Sequence, residues 1–235
     1  MFIEKLNIKI KRFLGTGYLR YQNNIYHYFN STQKYGKEFI LLQKFEYVNL
    51  FFLNYKQDEQ IKFSFISFPY EKSFLELNNH HKIALENTSL YQKFLSEDNP
   101  YGLINELEQI HKQKEIYFYF CYFTIQSNLQ ENYFIDDIFQ IGQFFSFGYP
   151  PLILIHKDSF HFPTRSGIPI GVAETQIKKQ SIEMPINSKL YVHTPVFNEK
   201  INLRELHYNI HKNNLESLPK NMILLEYHLT DFEVL

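Results

Sequence analysis

Residues 115–125 read EIYFYFCYFTI, and they would place apolar side chains on both faces of a strand. A strand of this kind belongs in the middle of a covered sheet, although periodicity alone does not distinguish it from a buried helix. We predict a central strand here. With 235 residues, the chain is long enough to bury most of its apolar surface without disulfides or metal ions.

Alternating apolar and polar residues predict further strands. The run IKFSFISF (61–68) alternates and ends at Pro69, which cannot donate a hydrogen bond to a ladder. Asn23 and Asn24 tolerate positive φ and predict a tight hairpin turn between two strands. The run 38–55 fits helical and strand spacings, and we favour strand. The other predicted strands are 6–11, 152–156, 159–163, 181–186, 189–192 and 221–229.

Helical patterns concentrate in the centre of the chain. Asn99 and Pro100 predict the start of a helix, as an N-cap followed by proline at the first helical position. Asn132 predicts a second helix start, with an apolar stripe that runs to Phe145. A short helix over 202–212 is predicted from Asn202 and Glu205, which resemble a capping box. One or two more helices are expected between Glu71 and Leu95.

These elements predict a single α+β domain over residues 1–235. Residues 1–70 are expected to be β-rich, and residues 71–147 to be mostly helical around one buried apolar strand. Residues 148–235 are expected to be β-rich with one short helix. The stretch 144–172 is then the junction between the helical centre and the C-terminal sheet.

Composition and charge set aside several classes of protein. The net charge of −1 gives no general attraction to nucleic acid or to an anionic membrane. The single cysteine, Cys121, cannot form a disulfide within the chain and fits a reducing compartment. The N-terminus does not resemble a secretory signal, and no apolar run is long enough to span a bilayer. We expect a soluble, cytoplasmic protein without contact to a membrane.

The aromatic content of 18% suggests surfaces that stack on bases. Phe, Tyr, Asn, Lys and Ile are all abundant and all have AT-rich codons, so an AT-rich bacterial or phage genome is the simpler cause. Aromatic richness is therefore a weak indication of binding.

Four residues form one candidate catalytic group: Arg204, His207, His211 and His228. His207 and His211 are four positions apart on the predicted C-terminal helix, so their rings would project from one face. Arginine can steady a phosphate while histidine moves protons, and Arg204 precedes His211 by seven positions, the loose spacing of HEPN-type ribonucleases. A solvated helix face is the alternative explanation, and a third metal ligand is missing from the pattern.

Arg165, Ser166 and Gly167 form a candidate ligand-binding turn. Glycine frees the backbone so that amides can point toward an anion, and arginine offers a planar fork of donors. An ordinary connection between strands explains the same residues. The sequence contains no Walker loop, no dinucleotide-binding GxGxxG, no GxSxG elbow and no zinc-type cysteine pair. We predict no cofactor and no metal site.

The sequence favours an accessory protein of the immunity- or defence-associated sort that binds another macromolecule, expected to be a protein. The support is the missing catalytic constellation and the abundance of aromatic residues able to form an interface. The alternative is a small metal-independent phosphodiesterase or ribonuclease that uses the Arg/His group. A shared concave site for those side chains is required by the alternative.

Overall fold

A computed structural model describes residues 15–21, 24–30, 35–44, 47–56, 60–69, 89–132, 137–157, 159–195, 203–212, 214 and 223–229. Statements about the fold concern these residues. The strands in chain order are β1 (Gly15–Tyr21), β2 (Asn24–Asn30), β3 (Tyr35–Lys44), β4 (Tyr47–Lys56), β5 (Gln60–Pro69), β6 (Tyr119–Asn132), β7 (Asp137–Phe147), β8 (Ile153–His156), β9 (Ser159–His161), β10 (Gln180–Pro185), β11 (Lys189–His193) and β12 (Ile223–Leu229). The helices are α1 (Ser89–Ser96), α2 (Tyr101–Lys114) and α3 (Leu203–His211).

The strands form two antiparallel sheets. One, which we call the long sheet, has the order β10-β7-β6-β5-β4-β3 and contains strands of up to 14 residues. The other, the short sheet, has the order β2-β1-β12-β11-β8-β9. The central strand expected over 115–125 is confirmed as β6, which lies between β5 and β7. Its register with β7 shifts between Ile125 and Leu129, which marks a bulge or irregularity.

The two sheets pack face to face, and helices cover their outer faces. Alternation along the strands divides the side chains of β5: Phe63 and Phe65 point toward the short sheet, whereas Ile66 and Phe68 point toward α1 and α2. The apolar residues on both faces of β5 are therefore buried. On the other side, α3 packs against the outer face of the short sheet. The result is a helix–sheet–sheet–helix sandwich.

Buried Lys62 ties α1 to the long sheet. Its side chain is 2% exposed, and Nζ donates to the backbone oxygens of Glu97 at 2.6 Å and Leu95 at 3.4 Å. These carbonyls lie at the end of α1, where backbone acceptors have no partner within the helix. Nζ also lies 5.3 Å from the centre of the Phe94 ring. Lys62 thus closes the C-terminal end of a helix from a neighbouring strand.

The structure corrects the predicted fold class. The protein is mostly β-sheet, with two antiparallel sheets, and is not an α+β protein with a helical centre. In the central segment, residues 89–96 and 101–114 are helical, whereas most of residues 119–147 form β6 and β7. The helix predicted from Asn132 to Phe145 is wrong, because β7 pairs with β6 on one side and with β10 on the other. That the whole chain is one domain stays a prediction.

Several local predictions are confirmed. The predicted hairpin is confirmed by the antiparallel pairing of β1 and β2, with Tyr21 opposite Asn24, whereas Asn23 lies outside the described residues. The run 61–68 forms β5. The run 38–55 lies within the β3–β4 hairpin. A helix start near Asn99 is also confirmed, but one residue later than predicted: Pro100 occupies the N-cap position, α2 begins at Tyr101, and Asn99 Oδ1 accepts a hydrogen bond from the Tyr101 amide. The predicted strand 6–11 lies outside the described residues, and no described helix is long and apolar enough to cross a membrane.

Candidate functional site

Three buried polar side chains meet at one end of the sandwich, and we call Asn49, Ser67 and Tyr149 the polar node. Asn49 of β4 lies directly opposite Ser67 of β5. Both follow the alternation that turns Phe51 and Phe65 toward the short sheet. Tyr149 belongs to the same apolar cluster and comes just after β7. The polar node therefore places polar groups in the largely apolar layer between the sheets, which also holds buried Gln140 hydrogen-bonded to the Tyr227 hydroxyl.

The hydrogen bonds of the polar node form a chain in which each hydroxyl donates to the next oxygen. Ser67 Oγ donates to Asn49 Oδ1 at 2.7 Å, and the Tyr149 hydroxyl lies 2.7 Å from Ser67 Oγ. Since a serine hydroxyl has one proton, and Ser67 donates it to Asn49, the Tyr149 hydroxyl is the donor in the second bond. The sequence of donors runs from Tyr149 through Ser67 to Asn49, and each side chain has a polar partner.

The backbone around Gly148 fixes the position of Tyr149. Gly148 has φ of +75°, where a side chain would be strained, and an added Cβ would come within 2.7 Å of Pro169 and Tyr119. The Gly148 amide donates to the carbonyl of Gly167 at 2.9 Å. Ser146 Oγ donates to the Tyr149 carbonyl at 3.0 Å. The turn after β7 is thus held from two sides.

Burial keeps the polar node uncharged. It raises the pKa of Tyr149 well above its usual value. Burial also raises the pKa of Cys121. Cys121 is a free, buried core cysteine. Both groups therefore stay protonated at neutral pH.

The short sheet contributes polar residues at the same end. Tyr191 of β11 lies opposite Ile153 of β8, so the end of β11 lies next to the segment that carries Tyr149. His193 and Thr194 follow there, and both are buried. His193 Nδ1 lies 3.0 Å from the carbonyl oxygen of Thr194. By alternation with Tyr191, which packs against α3, His193 points to the outer face of the short sheet. The polar node between the two sheets is therefore taken alone as the candidate functional site.

The predicted Arg/His group lies on another face of the molecule. Arg204 is exposed on α3, which packs through Leu206 and Ile210 against the outer face of the short sheet. His228 is half-buried in β12 and, by alternation with Leu225 and Tyr227, points to that outer face. The backbone of His207 and His211 also belongs to α3, but their side chains are outside the described residues. None of these positions belongs to the layer that contains the polar node.

The predicted ligand-binding turn lies next to the end of β7. The Arg165 amide donates to Gln180 Oε1 at 2.7 Å, and Gln180 Nε2 donates back to the Arg165 carbonyl at 3.0 Å. Ser166 Oγ donates to the Gly167 carbonyl at 3.3 Å. The Arg165 amide thus has a partner in the chain and is not oriented toward an anion, while the Arg165 side chain is exposed. Ligand binding by Arg165, Ser166 and Gly167 stays a prediction.

Sequence reasoning did not find the polar node. Ser67 was expected in a strand, Asn49 in a probable strand segment and Tyr149 in a helix-ending Gly-Tyr-Pro-Pro sequence. The one available signal was Ser67, a polar residue at an inward position of a strand that otherwise carries Ile61, Phe63 and Phe65 there.

Comparisons with known proteins match the fold but not the sequence. No protein-family model and no curated protein matches the chain. The structure of the RsbU and RsbW domains of a Mycobacterium tuberculosis protein has a TM-score of 0.51 at 12% identity, over 94% of this chain and 62% of that chain. The chain thus spans about three fifths of that protein, and the likeness shows the fold alone.

Two further solved structures were found with lower scores. The PP2C phosphatase domain of SpoIIE from Bacillus subtilis, with a fragment of its regulatory domain, has a TM-score of 0.49 at 13% identity, over 95% of this chain and 64% of that chain. RsbX in complex with magnesium has a TM-score of 0.48 at 14% identity, over 81% of this chain and 98% of that chain.

The structural neighbours correct the predicted function. The chain shares its two-sheet fold with the RsbU and RsbW domains, and the expectation of a macromolecule-binding accessory protein with a role in immunity or defence is wrong. The alternative of a metal-independent Arg/His phosphodiesterase or ribonuclease is wrong for the same reason. The predicted function was wrong because the sequence is charge-balanced and contains no known motif. Local patterns in such a sequence do not determine how its strands assemble into sheets.

Proposed function

We propose that this chain is a phosphatase-type domain directed at phosphorylated serine or threonine side chains of another protein. The observation that carries the proposal is the shared fold, which extends over 94% of the chain. The buried polar node between the two sheets supports it, because buried polar side chains are costly unless their hydrogen bonds serve structure or function.

The proposal includes a protein partner and a cytoplasmic location. A net charge of −1 offers no general attraction to nucleic acid, and the single, buried Cys121 suits a reducing compartment. The partner supplies the phosphorylated side chain.

The described residues do not fit a magnesium ion. Phosphatases commonly place divalent cations beside the phosphate, and magnesium prefers carboxylate oxygens. Within the described ranges, no three His, Cys, Asp or Glu side chains come together closely enough to hold a metal ion. The polar node offers an amide, a hydroxyl and a phenol, none of which is anionic. No chemical step is therefore derived through a metal.

Arg165 is the side chain that we propose for contact with the phosphoryl group. It is exposed, and Gln180 holds its backbone from both the amide and the carbonyl. The neighbouring Gly167 accepts a hydrogen bond from Gly148, the residue before Tyr149, so the turn lies beside the polar node. A guanidinium presented from a fixed backbone can pair with phosphate through two parallel hydrogen bonds.

The test measures binding and turnover with the full chain. Peptides that carry phosphoserine or phosphothreonine are titrated against their unphosphorylated forms, and released phosphate is measured in the same samples. We expect the phosphorylated peptides to bind at least about tenfold more tightly, which corresponds to one charge-assisted contact of about 1.4 kcal/mol, and to lose phosphate over time. Equal affinity for both forms together with no phosphate release would contradict the proposed function.

A matched pair of variants tests Arg165. Arg165→Gln is expected to remove most of the preference for phosphorylated peptide. Lys189→Gln removes an exposed cation at the start of β11, the end of that strand away from His193, and is expected to leave the preference intact. Equal losses in both variants would indicate general charge attraction instead of a specific contact.

A further inference from the structure

The polar node is closed to a cation by its own hydrogen bonds. Tyr149 donates to Ser67, and Ser67 donates to Asn49 Oδ1, so protons occupy the spaces between the three oxygens. The two oxygen contacts of 2.7 Å are normal hydrogen-bond distances. A cation placed among them would have to displace both protons or push the side chains apart.

The burial of the polar node also makes cation binding there unfavourable. Ser67 is fully buried and Asn49 is 6% exposed, and the ring of Tyr149 stacks on Phe65 with centroids 6.0 Å apart. A divalent cation that enters such a layer loses its hydration shell, which magnesium gives up reluctantly. Neutral oxygens do not replace the lost hydration, because an uncompensated charge in an apolar layer is strongly unfavourable.

We infer that this domain engages its phosphorylated target without a divalent cation at the polar node, an inference that rests on the proposed function. The described residues place three neutral, mutually hydrogen-bonded side chains between the two sheets. The chain thereby combines a phosphatase-type fold with a polar node whose amide, hydroxyl and phenol groups do not suit the divalent cation that phosphate hydrolysis commonly uses.

The register of β4 and β5 shows how a cation site could be introduced. Asn49 and Ser67 lie directly opposite each other, and their side-chain oxygens are already in contact. Aspartate at both positions would bring two carboxylates together in a buried layer. Two such carboxylates repel each other unless they share a proton or a cation. The double variant N49D/S67D should therefore acquire affinity for Mn²⁺ that the natural pair does not have.

The experiment measures thermal unfolding of the full chain in EDTA and in excess Mn²⁺. We expect the midpoint of the natural chain to be the same in both conditions. The midpoint of N49D/S67D should be lower than that of the natural chain in EDTA, and should rise by roughly 5 to 10 °C when Mn²⁺ exceeds its dissociation constant about a hundredfold. The single variants N49D and S67D are the matched controls, and each should gain less than half of that rise.

Phosphopeptide affinity gives a second measurement that does not depend on the folding of the double variant. The affinity of the natural chain should differ by less than about twofold between EDTA and Mn²⁺. A midpoint that rises with Mn²⁺ in the natural chain and no longer rises in Ser67→Ala would overturn the inference. A folded double variant without any response to Mn²⁺ would also overturn it, since the neutral side chains would then not be the reason for the missing site. Failure to bind phosphopeptide would count against the proposed function, whereas the thermal measurements would still decide the inference.

Discussion

Replacement of Lys62 tests how the long sheet holds α1. In Lys62→Ala three methylene groups of a buried stem are lost, which costs about 2.4 kcal/mol at about 0.8 kcal/mol for each group. The charge-assisted bond from Nζ to the Glu97 carbonyl at 2.6 Å contributes a further 1.5 to 3 kcal/mol, roughly. The desolvation of the ammonium group, which the variant no longer requires, offsets part of this sum. We expect a net loss of about 4 kcal/mol in the free energy of unfolding.

A second substitution at the same position separates the two contributions. Lys62→Met keeps most of the stem and loses the ammonium, so it should cost about 1 to 2 kcal/mol. Lys93→Ala is the control on α1 itself: Lys93 is 39% exposed and its ion pair with Glu106 spans 3.4 Å, so its loss should cost less than about 1 kcal/mol.

Urea unfolding followed by circular dichroism and tyrosine fluorescence measures these differences, since the chain has 18 tyrosines and no tryptophan. In a thermal unfolding experiment, the expected loss in Lys62→Ala corresponds to a fall in the midpoint temperature of roughly 8 to 16 °C. The reasoning is refuted if Lys62→Ala lies within about 1 kcal/mol of the natural chain, or if the methionine variant is as unstable as the alanine variant.

Three further outcomes follow from the surroundings of the polar node. Tyr149→Phe removes the donor to Ser67 inside a buried layer and should cost about 1 kcal/mol in urea unfolding, whereas an unchanged stability would mean that the bond contributes nothing. Gly148→Ala forces a side chain into φ of +75° against Pro169 and should cost at least about 1 to 2 kcal/mol, with a lower thermal midpoint as the readout. Burial raises the pKa of Cys121 above the ordinary value of a thiol, so the folded state keeps a proton that the unfolded state releases. Stability should therefore fall as pH rises above about 9, and Cys121→Ala should reduce that slope by about 1.4 kcal/mol for each pH unit.

The strands that could be predicted are those whose local pattern agrees with their final environment. The alternation in β5 and the two apolar faces of β6 are properties of short sequence windows, and tertiary packing did not contradict them. Asn99 likewise indicated the start of α2 through a hydrogen bond that spans two residues. Signals of this range are visible in a single sequence.

The error at β7 has a physical reason. Asn132 and the apolar stripe to Phe145 resemble a helix, but Gly142 lies in the middle of that stretch and lowers helix propensity by about 1 kcal/mol relative to alanine. In the sheet, Gly142 lies opposite Ile125, and an added Cβ would come within 2.6 Å of the Phe123 ring. The glycine thus makes room for an aromatic side chain of the neighbouring strand, a contact that no local pattern predicts.

The polar node could not be predicted, because its contacts are long-range. Ser67 is 18 positions from Asn49 and 82 positions from Tyr149 in the sequence. The first contact depends on the register between β4 and β5, and the second on the turn at Gly148. A shift of one residue in that register would turn the Ser67 side chain to the opposite face.

The contacts that build the sandwich are separate from those that determine its chemistry. Across the inner face of the long sheet, Phe51 packs on Phe65 with ring centroids 4.8 Å apart, and Phe63 packs on Phe123 at 5.0 Å. These pairs are apolar and would persist if carboxylates replaced Asn49 and Ser67, since each ring keeps its partner in the neighbouring strand. A fold with this core can therefore hold a cation site or a neutral hydrogen-bonded site at the same end. The fold does not determine whether this end binds a cation or holds a neutral hydrogen-bonded site, so the side chains of the polar node determine it. The Mn²⁺ response of N49D/S67D compares a carboxylate site with the natural neutral site on the same fold.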